Sequence, residues 1–149
     1  MRSSDALLRA LGRLLLVGLL VVCGAARAEL VVVMRGDAGG NERLSQNDVV
    51  DIFLGRYRQL PSGAHAVPID QPSNSALRAE FYRRLVNKEL AEINSYWARL
   101  YFSGKTAPPV AAASNADVLA LLLSTPGAIA YLERRQLDAR VRVVFEFSP

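Results

Sequence analysis

From residue 29 onward the apolar positions switch between two periods, and the switches mark out the elements. Leu30-Val31-Val32-Val33-Met34 is an unbroken apolar run rich in valine, which predicts a strand buried on both faces, a central parallel strand of a sheet. Ser45-Gln46-Asn47-Asp48 ahead of Val49, Ile52 and Phe53 predicts a short capped helix, with Ser45 and Asp48 as a capping box and Leu44 and Val49 placed as a hydrophobic staple. Gly55 can end that helix in the left-handed conformation. Ala66-Val67-Pro68-Ile69 returns to strand composition, and Pro68, lacking an N–H, puts this strand at an edge or ends it.

Leu77, Phe81 and Leu85 then recur at four-residue spacing, with Arg78, Glu80, Arg83 and Arg84 on the other positions, as an amphipathic helix requires. Leu90, Ile93, Trp97, Leu100 and Tyr101 mark a second helix ending at Ser103-Gly104, with Trp97 read as core. After the proline-stiffened connection 105–109, Ser114 and Asp117 repeat the capping spacing before Val118, Leu119, Leu121, Leu122 and Leu123, a helix buried over much of its circumference. Thr125-Pro126-Gly127 stops it. Residues 128–132 and 141–145 read as two last strands, separated by the charged turn 133–138. This alternation predicts an α/β domain with helices packed on a central sheet.

The first 28 residues follow a different pattern. Arg2, Arg9 and Arg13 precede the uncharged run from Leu14 to Ala26, and Ala26-Arg27-Ala28 supplies a small-x-small cleavage signal. The run falls short of the roughly 20 residues that a spanning helix needs. A cleaved signal peptide over 1–28 and a domain over 29–149 is therefore expected, with a periplasmic location. Val21 and Val22 before Cys23 argue against lipid attachment there, which wants a small residue in that place. The formal charge of +4 belongs mostly to the leader: its four arginines and one aspartate leave 14 basic against 13 acidic residues, a net of about +1. No basic stripe with interleaved aromatics remains for a nucleic-acid partner.

Candidate chemistry concentrates between the strand at 66–69 and the helix after it. A polar turn running from a strand into a helix start leaves backbone N–H groups aimed where an anion approaches, and Asp70, Ser73, Asn74, Ser75 and Arg78 lie there. Ser75 can equally serve as the N-cap. The glycine-rich segment 35–41 reads as a connecting loop. His65, the only histidine, has no acidic or cysteine partner near it in sequence, so neither metal ligation nor catalysis is assigned to it, and no cofactor is expected.

Ile52-Phe53-Leu54-Gly55, the turn and helix from Ser75 to Phe81, Tyr96-Trp97 and Thr125-Pro126-Gly127-Ala128-Ile129-Ala130-Tyr131 occur in the order seen in phosphate-binding periplasmic proteins of ABC transporters. The chain resembles one lobe of that type II binding-protein fold, a central mixed sheet flanked by helices. The last segment is the most specific, since the family reads T-P-G-A-I-G-Y there and only Ala130 departs. The resemblance implies an oxyanion site where the family carries an acidic residue followed by G-S-G-T-R. Ser75 and Arg78 match that motif, whereas Asn74, Ala76 and Leu77 stand in place of glycine, glycine and threonine, and Asp70 lies where the acidic residue belongs. Leu77 removes a hydroxyl and Ala76 stiffens a turn that must approach its ligand closely.

Two functions follow from this reading. One is weak binding of phosphate or a related oxyanion, linked to ABC-type phosphate uptake, with a homodimer or a protein partner completing the site. The other is a ligand-free protein-interaction module of the cell envelope. An enzyme is not expected, because no nucleophile, base and orienting group share a recognisable spacing.

Overall fold

A computed structural model describes residues 29–37 and 41–148. The signal-peptide reading, Cys23 and the middle of the glycine-rich loop lie outside those residues. Five strands, β1 (Leu30–Arg35), β2 (Val67–Asp70), β3 (Val110–Ala111), β4 (Ala128–Glu133) and β5 (Val141–Glu146), form one mixed sheet in the order β3-β2-β4-β1-β5. Four helices accompany it: α1 (Gln46–Phe53), α2 (Ala76–Val86), α3 (Leu90–Phe102) and α4 (Asn115–Ser124).

β1 is central and buried on both faces, as its composition requires, but it is not parallel to its neighbours. It pairs antiparallel with β4, Val32 opposite Tyr131, and with β5, Val32 opposite Phe145, the second ladder shifting register between Val32 and Val33. Two-sided burial reports a strand's position between layers, and strand direction leaves no mark in a run of five apolar residues. Leu30, Val32 and Met34 face the core under α1, α2 and α3, while Val31 and Val33 face the one under α4. β4 alternates likewise, with Ile129 and Tyr131 on the first side and Ala128, Ala130 and Leu132 on the second.

β2 also differs from expectation. It is parallel to both β3 and β4 and lies inside the sheet. Pro68 is accommodated because Val67 donates to the Gly127 carbonyl on the β4 side, which turns position 68 toward β3, and β3 begins one register step later, with Val110 opposite Ile69. β3 has only two residues, both exposed, too few to show a period along the chain.

The expected caps are present. Ser45 Oγ accepts from the Asp48 N–H at 3.2 Å and Asp48 accepts from the Ser45 N–H at 2.7 Å. Ser114 Oγ accepts from the Asp117 N–H at 3.2 Å. Leu44 and Val49 both enter the core, and Gly55 takes φ +68° just past α1. α4 is less enclosed than its composition predicts: Val118 and Leu122 are buried, whereas Leu119, Leu121 and Leu123 are half-buried, because among the described residues a single α-helix covers that face of the sheet. In α2 the buried positions are Arg78, Phe81, Tyr82 and Leu85, so the stripe is rotated from the predicted one and carries an arginine inward.

Candidate functional site

The turn between β2 and α2 is built around one carboxylate. Asp70 ends β2 and is only 4% exposed. Its Oδ2 accepts from Arg78 Nε at 2.8 Å and from the Tyr82 hydroxyl at 3.1 Å. Its Oδ1 accepts from the Gln71 N–H at 3.0 Å and from the Tyr131 hydroxyl. Four donors thus fill the four lone-pair positions of an ionised carboxylate.

Helical geometry supplies two of these donors. Arg78 and Tyr82 are one turn apart on α2 and reach the same oxygen, the guanidinium carbon also lying 5.4 Å from the Tyr82 ring centroid. Arg78, 6% exposed, extends Nη1 to the Ser73 carbonyl at 3.3 Å and to Asn94 Oδ1 of α3 at 3.1 Å. Tyr131 comes from β4, where its ring stacks on Phe81 with centroids 3.8 Å apart. Gln71, fully buried, donates its Nε2 to the Tyr131 carbonyl at 2.9 Å, and its Oε1 has no partner among the described residues.

Electrostatics agree with a closed network. Burial opposes the charge on Arg78, but the neighbouring Asp70 more than offsets it and raises the arginine's pKa. The phenols of Tyr82 and Tyr131 are pushed well above their ordinary range, first by burial and then by the Asp70 charge. Both remain neutral donors at physiological pH.

The structure therefore brings Asp70 and Arg78 together as an ion pair with each other. Ser75 takes the N-cap position of α2, its Oγ accepting from the Leu77 N–H at 3.2 Å. Ser73 and Asn74 are exposed on the turn. His65 is exposed as well, in an isolated bridge with Gln59. Sequence reading did not place Gln71, Tyr82, Asn94 and Tyr131 at this site. Gln71, inside the polar turn beside Asp70, and Tyr82, four residues after Arg78, carried a local signal; Tyr131 and Asn94 arrive from distant segments.

Gly127 explains why the Thr125–Tyr131 segment keeps its form. It has φ +72°, and a Cβ there would lie 2.2 Å from the His65 carbonyl oxygen, so the turn feeding β4 lets the two backbones meet only at a glycine.

No protein-family model and no curated protein matches the chain. Solved structures do. An ABC-type phosphate transport receptor from Vibrio cholerae superposes with a TM-score of 0.60 at 14% identity, over 78% of this chain and 45% of the receptor. A protein assigned as a phosphate ABC transporter substrate-binding protein, solved with bound phosphate from Clostridium perfringens, does so with a TM-score of 0.60 at 15% identity, over 78% and 44%. The chain spans less than half the length of either. Its fold is that of one lobe of the type II periplasmic binding-protein architecture.

Proposed function

We propose that this domain is a non-enzymatic module of the cell envelope that works by contact with another protein, on a phosphate-receptor lobe whose anion cradle is closed by its own side chains. The saturation of Asp70 carries this reading: with Arg78, Tyr82, Tyr131 and the Gln71 N–H on its two oxygens, the carboxylate has nothing left to offer a hydrogenphosphate. Leu77 and Ala76 at the helix start point the same way, since neither side chain adds a donor. The envelope location rests on the leader pattern of residues 1–28.

A second reading keeps weak binding of phosphate or a related oxyanion at the outer part of the turn, and the exposure of Ser73 and Asn74 beside the first N–H groups of α2 favours it. Cross-linking of the whole protein in its own cells separates the two. A partner whose contact survives both Ser75→Ala and excess phosphate supports the interaction module. A contact abolished by phosphate, or saturable phosphate uptake by the purified protein, supports the anion site.

A further inference from the structure

A cavity of about 660 Å³ lies on the helical side between the end of α1, the end of α2 and one face of α3. None of its lining residues belongs to the Asp70 network. Its apolar wall is Val50, Leu54, Val86, Ile93 and Tyr96, and the Tyr96 hydroxyl donates to the Leu54 carbonyl at 2.7 Å, which fixes α3 against the end of α1. The same junction is closely packed, since a Cβ on Gly55 would lie 2.8 Å from the Trp97 ring.

The charge on its rim is one-sided. Arg56 and Arg99 both line the cavity, both are exposed, and among the described residues neither meets a carboxylate. The acid on the rim, Glu92, is held by Lys88 at 2.7 Å and by the Glu89 N–H at 3.1 Å. Arg99 lies three residues beyond Tyr96 on α3, and Arg56 two residues beyond Leu54, whose carbonyl Tyr96 binds, so both cations line the cavity on segments that meet at the junction of α1 and α3.

We infer that this cavity is a binding site for an apolar molecule with a single anionic head, of the class of a medium-chain carboxylate. The chain packs along the Val50, Leu54, Val86 and Ile93 wall, and the carboxylate is held by Arg56 and Arg99. The volume falls within the roughly 300–1,000 Å³ of small-ligand sites, which combine an apolar lining with a few placed polar groups. Guanidinium groups suit a carboxylate through their forked donors. This inference is independent of the state of the Asp70 turn.

The test is calorimetric titration of the purified protein with decanoate, below its aggregation limit, and with 1-decanol, each repeated on R56Q/R99Q and on Ala91→Trp. Arg56, Arg99 and Ala91 are exposed, so folding of the variants is checked by their circular dichroism and melting curves. Decanoate should bind at one saturable site, with 1-decanol about tenfold weaker and R56Q/R99Q weakening decanoate by about the same factor, as lost charged hydrogen bonds require. Ala91→Trp, which puts an indole into the cavity, should abolish both, and inorganic phosphate should not compete. Absence of saturable decanoate binding, equal affinity for the alcohol, or binding unchanged in R56Q/R99Q or in Ala91→Trp overturns the inference.

Discussion

The Tyr131 hydroxyl donates to Oδ1 of Asp70, joining the middle of β4 to the end of β2 across 61 positions of sequence. The same carboxylate receives Arg78 and Tyr82 from α2. One side chain thereby ties two strands of the sheet to the helix that follows β2.

Removing the charge tests that role. Asp70→Asn leaves Arg78 buried without its counter-charge, and breaking one side of a buried pair costs about 3–5 kcal/mol. Urea unfolding should show this loss, and D70N/R78M should recover part of it by removing the stranded cation. A cost near zero for Asp70→Asn would mean that the pair is open to water.

Alkaline pH tests the two phenols. Tyr82 and Tyr131 bind their protons more tightly folded than unfolded, so their contribution is fully present below the ordinary tyrosine pKa of 10.0. Above it, the unfolded chain releases protons that the folded chain retains, and stability falls as pH rises. Unfolding free energies measured between about pH 8 and pH 11 should decline beyond 10, with a shallower decline in Tyr82→Phe.

At Ser75 the expected effect is structural. Ser75→Ala removes the cap on the Leu77 N–H and should cost about 1 kcal/mol. Thermal melts with and without phosphate should shift by the same amount in variant and parent.

Gly127→Ala must move either the turn or the His65 backbone, which a Cβ would approach to 2.2 Å, besides holding alanine at positive φ. A loss of at least about 2 kcal/mol is expected from this combination, read by chemical unfolding.

Much of the fold was legible in the sequence because its signals are local. The capping box at Ser45, the N-cap at Ser114, the glycine after α1 and the period of α2 and α3 are each set within a few residues. Strand direction was not, since β1 finds its antiparallel partners near the other end of the chain. β3 was hidden because two residues carry no period. At the site, sequence order drew attention to Asp70 and Arg78 but not to their relation. Their pairing depends on Tyr131 and Asn94, which the fold brings from other segments, and an inward arginine on α2 reads as a solvent-facing one until its carboxylate is placed.

The most direct test of the closed cradle is calorimetric titration of the purified protein with inorganic phosphate. No saturable heat is expected up to millimolar phosphate, because Asp70 and Arg78 already satisfy one another. A saturable one-to-one isotherm in that range would contradict it.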